Sequence, residues 1–189
     1  MTRTTGISFD VERFVADCRG ALRETSPQDA IRELLARAVS EPAAVMQALG
    51  EPKGAGLRAL YRSDELTILD SAWPPGMMLM PHEHRMWAVI GIYCGREDNI
   101  FWRRVEGGRI EAAGAKALGP RDTTLLGTDI VHSVSNPIPR CTGAIHIYGG
   151  DFFSLPRSEW DPETLLERPF DLYKALRLFA EAGARSATS

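Results

Sequence analysis

The sequence has few cysteines, and their number and spacing argue against two kinds of site. The chain contains only Cys18, Cys94 and Cys141, an odd number. No two of them form the C-x-x-C pair that is typical of zinc and redox motifs. We therefore expect reduced thiols in a cytoplasmic protein rather than a disulfide framework.

Neither charge nor long apolar runs indicate a nucleic-acid or membrane partner. The formal net charge is −3, and the arginines are scattered rather than gathered into a basic stripe. No apolar run approaches the roughly 18–20 residues that a membrane-spanning helix needs. The first residues also lack the apolar segment of a signal peptide. We expect a soluble monomer or small homo-oligomer with no nucleic-acid partner and no membrane association.

The order of sequence patterns predicts a mainly β protein flanked by helices. The chain has 189 residues, which fits a single domain over residues 1–189. Residues 1–55 have helical spacing, with Ser26 and Pro27 as a typical helix start. Residues 56–160 contain short apolar runs separated by turn signals, which favours an antiparallel sandwich or barrel. Residues 161–189 end the domain, and within them Asp171 to Ala184 has the pattern of one closing amphipathic helix.

The histidines are the most informative residues. There are four, His82, His84, His132 and His146, and all lie in apolar, strand-like runs. His82 and His84 are two residues apart, so in a strand both imidazoles would project from the same face. Two imidazoles in that arrangement can share one metal ion. A distant strand would have to supply a third ligand, for which His132 is the natural candidate.

Two segments resemble the conserved motifs of the cupin family. These are Gly76-(x5)-His82-x-His84 and His132-(x3)-Asn136. The resemblance implies a double-stranded β-helix barrel. It also implies that His82, His84 and His132 bind one metal ion inside it.

The absence of one residue that most cupins carry limits the resemblance to one group within the family. Cupins usually carry a glutamate three or four residues after the second histidine, and Trp87 and Ala88 stand there. A three-histidine site without this glutamate is similar to that of the cysteine dioxygenase group of thiol dioxygenases. That similarity implies Fe(II) as the cofactor, and O2 and a small thiol as substrates. The chain looks closer to the bacterial members of this group, some of which act on mercaptopropionate-like or mercaptosuccinate-like thiols.

A later segment carries the same resemblance. Ala144-x-His146-x-Tyr148 resembles the Ser-x-His-x-Tyr motif of that group, which implies catalytic roles for Tyr148 and His146. Alanine replaces the serine, so its hydrogen bond to His146 is absent. The cysteine that crosslinks to tyrosine in the animal enzymes aligns near Val89, so no crosslink is expected. Both departures weaken the case for cysteine itself as the substrate.

Arg58 is the predicted substrate-binding residue. It lies about where the cysteine dioxygenases place an arginine that holds the substrate carboxylate, and Arg62 aligns equally well. A planar guanidinium can bind a carboxylate through two parallel hydrogen bonds.

These observations lead to one main hypothesis and two alternatives. The main hypothesis is an Fe(II)-dependent thiol dioxygenase that converts a small carboxylated thiol to a sulfinate. The first alternative keeps iron and O2 but acts on a non-thiol acid or a diketone. The second is a non-oxygenase cupin that holds Zn(II), Mn(II) or Ni(II), because ligand spacing alone does not select the metal.

Overall fold

The structure is a computed structural model, and it describes residues 8–187. Three helices come first: α1 (Val11–Ala21), α2 (Pro27–Val39) and α3 (Pro42–Leu49). Asp10 caps α1 by accepting a 2.9 Å hydrogen bond from the Arg13 amide. Pro27 and Pro42 begin the next two helices, at the position where a missing N–H costs nothing. The predicted helical cap is therefore present in the described residues.

Eleven strands, a 3-10 turn at Glu106–Gly108 and one further α-helix follow in the described chain. The strands are β1 (Gly56–Arg62), β2 (Thr67–Trp73), β3 (Met78–Glu83), β4 (Ala88–Cys94), β5 (Glu97–Val105), β6 (Arg109–Leu118), β7 (Thr123–Leu126), β8 (Val131–Ser135), β9 (Thr142–Tyr148), β10 (Ser158–Trp160) and β11 (Glu167–Pro169). The last helix is α4 (Leu172–Ala187). No helix among residues 8–187 combines the length and the apolar character that crossing a membrane requires.

The strands form two antiparallel sheets. One has the order β1-β2-β9-β4-β7, and the other has the order β11-β10-β3-β8-β5-β6. The predicted mainly β fold with helices at both ends is confirmed, and the two-sheet arrangement is consistent with the predicted cupin barrel. Within the C-terminal segment 161–189, residues 167–169 form β11 because their backbone pairs with β10, and the predicted closing helix is present as α4.

The N-terminal helices cover one face of the five-stranded sheet. Ile31, Leu35 and Val39 of α2 are fully buried against Val89 and other apolar side chains of that sheet. The helix lies very close to β4 at Gly91, where an added Cβ would be 2.7 Å from the Leu35 Cγ. This close packing occupies the outer face of the sheet, so its inner face is left to form the site.

Candidate metal centre

Pairing between β3 and β8 positions two of the histidines. His82 lies directly opposite His132, whereas three residues earlier Leu79 is opposite Val134. Strand β3 therefore contains one extra residue between these two pairs, which is a β-bulge. Pro81 lies in the irregular stretch, where a missing backbone N–H is tolerated. The bulge aligns the His82 side chain with His132 across the strands.

The three predicted ligands meet in the protein interior. His84 Nε2 lies 3.2 Å from His82 Nε2 and 3.4 Å from His132 Nε2. All three residues are buried, and their candidate ligand atoms lie within 4.8 Å of one another. Imidazole nitrogens bound to one ion at about 2.1 Å would be roughly 3.0–3.4 Å apart for angles between octahedral and tetrahedral. The observed spacing therefore fits a shared metal ion.

Hydrogen bonds on the far side of two imidazoles direct their lone pairs to the centre. His82 Nδ1 lies 2.9 Å from the Met80 carbonyl oxygen, and His132 Nδ1 lies 2.7 Å from Asn99 Oδ1. Both partners are acceptors, so each Nδ1 carries the proton and each Nε2 presents a lone pair. These lone pairs converge on His84 Nε2, so a cation placed among the three nitrogens would be within reach of all of them.

Burial keeps the histidines in the form that binds metal. It lowers the pKa of His82 to about 4. The pKa values of His84 and His132 are also held well below the ordinary value, first by burial and then by the neighbouring imidazoles. Neutral imidazole is the ligand form, so no proton has to leave for a metal to bind at neutral pH.

The residue between the first two histidines faces away from them. Glu83 is buried, and its carboxylate accepts hydrogen bonds from Arg85, Arg104 and the Ser158 amide. This agrees with the alternation expected of a strand. No carboxylate joins the three histidines among residues 8–187.

A buried hydrogen-bonded path connects the cluster to the two predicted catalytic residues. Asn99 Nδ2 lies 3.0 Å from Glu97 Oε1, and Glu97 Oε2 lies 3.1 Å from His146 Nε2. His146 Nδ1 in turn lies 3.2 Å from the Tyr148 hydroxyl. The Tyr148 ring also packs edge-on against His84, with 5.0 Å between ring centroids. The structure therefore places both Tyr148 and His146 at the three-histidine cluster.

Glu97 was missed by sequence reasoning, although a signal was present. Glu97 and Asn99 alternate on β5, and both are buried, while Asp98 between them pairs with Arg96 near the surface. Polar residues at i and i+2 of one strand share a face. Here that shared face points into the protein. Glu97 makes a hydrogen bond to His146, which the alanine at position 144 cannot do.

The predicted carboxylate-binding arginine faces away from the cluster. The Arg58 side chain is 55% exposed, and its Nη2 donates to Asp70 Oδ2 at 2.7 Å and to the Leu49 carbonyl at 2.8 Å. Its neighbour Leu57 lines the cavity instead, because successive side chains of a strand alternate in direction. Arg62 is also on the outside, in a two-bond ion pair with Asp151.

A different arginine is buried against two aromatic rings that line the cavity at the cluster. Arg157 precedes β10 and is 7% exposed, with its guanidinium 4.5 Å from the Phe152 ring centroid and 4.1 Å from that of Phe170. Nη1 donates to the Phe152 carbonyl at 2.6 Å, whereas Nε and Nη2 have no hydrogen-bond partner among the described residues. The charge of Arg157 contributes to the lowered pKa of His82 and His84. Sequence reasoning overlooked it because nothing around Arg157 marks it as buried.

The histidines open onto a small cavity between the two sheets and α4. Its volume is about 30 Å³, on the order of one water molecule. Trp73 adds an indole Nε1 with no partner in the described structure. The lining is otherwise mostly apolar and comprises Leu57, Trp73, Leu79, His82, His84, His132, Val134, His146, Tyr148, Phe152, Phe170, Leu172, Ala175 and Phe179.

Comparison with known proteins gives only distant similarities. No protein-family model matches the sequence. A variant of oxalate decarboxylase from Bacillus subtilis has a TM-score of 0.42 and 19% identity, over 54% of this chain and 27% of that chain. An RmlC-like cupin family protein from Methanocaldococcus jannaschii has a TM-score of 0.45 and 10% identity, over 53% of this chain and 84% of its own. A cupin superfamily protein from Desulfitobacterium hafniense has a TM-score of 0.43 and 16% identity, over 53% of this chain and 82% of its own.

The assignment of the site therefore depends on the geometry of this chain. The match spans little more than a quarter of the oxalate decarboxylase chain, at 27%. What the chain itself contains is a two-sheet β fold, consistent with a cupin, that encloses three buried histidines. This arrangement is compatible with a metal-dependent cupin.

Proposed function

We propose that this protein is an Fe(II)-dependent thiol dioxygenase. It adds both atoms of O2 to the sulfur of a small carboxylated thiol and releases a sulfinate. One observation carries the proposal: a three-histidine cluster without a carboxylate ligand lies within electrostatic range of the buried Arg157 guanidinium, two of whose nitrogens have no hydrogen-bond partner. The first group suits a metal ion that binds a thiolate, and the second suits the carboxylate of the same molecule.

The histidines determine what the metal can bind. His82, His84 and His132 would hold the ion through Nε2. Because all three are neutral, they leave the full +2 charge of the ion to attract an anionic sulfur. When bound, iron supplies the redox chemistry that the reaction with O2 requires.

Arg157 would bind the substrate carboxylate. Burial lowers its pKa to about 10, so the guanidinium stays charged at neutral pH. A buried charge without a partner is costly, and a carboxylate accepting from Nε and Nη2 would compensate it through two parallel bonds. The cavity of about 30 Å³ is far smaller than a carboxylated thiol, so the lining side chains would have to move apart when such a substrate binds.

Tyr148 and His146 would position the substrate and hold protons beside it. Burial raises the pKa of the Tyr148 hydroxyl above its ordinary value, so the group keeps its proton at neutral pH. The hydroxyl is held against His146 Nδ1 at 3.2 Å. The apolar lining from Leu57, Phe152 and Phe179 would exclude water once a substrate is bound.

The test is O2 uptake by iron-loaded protein with a panel of small molecules. The panel contains mercaptopropionate, mercaptosuccinate and cysteine, together with diketones and oxo-acids. We expect uptake with at least one carboxylated thiol, with one sulfinate formed for each O2 consumed, as measured by mass spectrometry. Metal analysis after anaerobic purification should show iron.

Two controls separate the alternatives. The His132→Gln variant should lose both bound iron and O2 uptake, which ties the activity to the cluster. Uptake with diketones or oxo-acids alone would favour the other oxygenase class. An iron-loaded protein that consumes no O2 with any thiol of the panel is not a thiol dioxygenase.

A further inference from the structure

The path from His132 to Tyr148 has a defined hydrogen-bond direction. His132 Nε2 faces the other two imidazoles, so its Nδ1 carries the proton and donates to Asn99 Oδ1 at 2.7 Å. The Asn99 amide nitrogen must then donate to Glu97 Oε1, 3.0 Å away. Because His132 donates at its end of the path, Glu97 must be an acceptor in the middle of it.

The second oxygen of Glu97 extends this direction to the tyrosine. An ionised carboxylate only accepts hydrogen bonds, so His146 must carry its proton on Nε2, 3.1 Å from Glu97 Oε2. In the neutral imidazole with this single proton, the His146 Nδ1 is an acceptor, and the Tyr148 hydroxyl 3.2 Å away donates to it. Both lone pairs of the Tyr148 oxygen are left for other partners.

We propose that Glu97 is a positioning residue that sets the His146 tautomer and thereby turns the Tyr148 oxygen towards the cavity as a hydrogen-bond acceptor. Glu97 is 1% exposed, and both of its oxygens are occupied by this network. It contacts His146 on a strand whose position 144 is an alanine, so a carboxylate from another strand orients the imidazole.

The consequence concerns which ligand group the tyrosine recognises. An acceptor oxygen beside the metal centre is matched to a donor, such as an amine N–H or a hydroxyl O–H, rather than to a carboxylate oxygen. This role rests on the proposed function, because it concerns a substrate bound beside the metal. The tautomer itself can be measured without any substrate.

The experiment is 15N NMR of the four imidazoles in wild-type protein and in Glu97→Gln, at neutral pH. The chain has only four histidines, and a His146→Gln sample assigns the resonances of interest. Spectra are recorded on metal-free protein and after addition of Zn(II), which has no unpaired electrons. We expect wild-type His146 to be protonated on Nε2 only.

The substitution should reverse the network. In Glu97→Gln the amide oxygen still accepts from Asn99, so the amide nitrogen faces His146 Nε2 as a donor. We expect His146 to shift to the Nδ1–H tautomer. We also expect kcat for thiol oxidation to fall about 10–100-fold with little change in KM. Asp98→Asn removes the adjacent carboxylate, which pairs with Arg96 near the surface, and should leave the tautomer and both constants unchanged.

The outcomes separate this inference from the proposed function. A proton on Nδ1 of wild-type His146, as the other tautomer or as the imidazolium, would overturn the role of Glu97 even if thiol oxidation is observed. The expected tautomer without any thiol oxidation would leave the network intact and overturn the function. If Glu97→Gln does not fold, the wild-type spectrum alone decides.

Discussion

Arg58 and Arg157 differ in what surrounds the guanidinium, and that difference is invisible in the sequence. Arg58 has a carboxylate partner and solvent, whereas Arg157 has two aromatic rings and two unpaired donors. Successive side chains of a strand point to opposite faces of the sheet. A sequence alignment that is wrong by one residue therefore places an outward-facing arginine inside. The burial of Arg157 depends on packing by Phe152 and Phe170, which lie at other positions in the chain.

We expect Arg157→Met to lower kcat/KM for a carboxylated thiol by about 10–100-fold. The loss of one charged hydrogen-bonded pair, about 1.5–3 kcal/mol, accounts for that range. A thiol without a carboxylate should be oxidised as well by the variant as by the wild type. Steady-state O2 uptake with the two classes of thiol measures both effects.

Arg58→Met is the matched control for this substitution. It removes an exposed ion pair with Asp70, and such pairs contribute little to stability or function. Its kinetic constants should equal those of the wild type. If Arg58→Met lost affinity for the carboxylated thiol and Arg157→Met did not, the assignment of the carboxylate site would be reversed.

At the scale of elements, periodicity predicted what each segment is but not where it packs. The spacing of His82 and His84 correctly predicted that both imidazoles project to one side, although β3 ends at Glu83 and His84 lies one residue beyond it. The apolar pattern correctly predicted α4. The β-bulge at Pro81 that aligns His82 with His132 has no comparable signal, because it depends on pairing with β8. The sequence also did not predict that α4 packs over the cavity, because an amphipathic pattern shows which face of a helix is buried but not what it packs against.

The position of α4 leads to a prediction about substrate size. Phe179 is 4% exposed, lines the cavity and packs 4.9 Å from the Trp73 ring centroid. We expect Phe179→Ala to enlarge the cavity and raise kcat/KM for longer thiols relative to the smallest one. It should also lower the free energy of unfolding by about 3–5 kcal/mol, as other buried phenylalanine truncations do.

Tyr173→Ala tests whether any change in α4 has the same effect. Tyr173 is on the same helix but is 77% exposed. Truncation of Tyr173 should leave the ratio of kcat/KM between long and short thiols unchanged. It should also shift the urea midpoint much less than Phe179→Ala does. An unchanged preference in Phe179→Ala would mean that α4 does not limit the cavity in solution.

At the scale of the whole molecule, the buried histidines couple folding to pH. Their pKa values are lowered in the folded protein, to about 4 for His82, from an ordinary value of about 6.5 in the unfolded chain. Between these values the unfolded chain binds more protons than the folded one. Stability therefore falls as pH decreases through this window and is fully present above it.

We expect metal-free protein to lose on the order of 2 kcal/mol of unfolding free energy between pH 7.5 and pH 5 from His82 alone, with further loss from His84 and His132. The pKa values of Asp151 and Asp161 are lowered by their hydrogen bonds and by arginines, so their effects appear only at more acidic pH. Urea unfolding at several pH values measures the slope, and His82→Gln should make it shallower.

Metal that binds only the folded state should raise stability at pH 7.5. The gain should shrink towards pH 5, because protons then compete for the ligands. Equal stability of the metal-free protein at pH 7.5 and pH 5 would contradict the burial of neutral imidazoles on which the proposed metal centre depends.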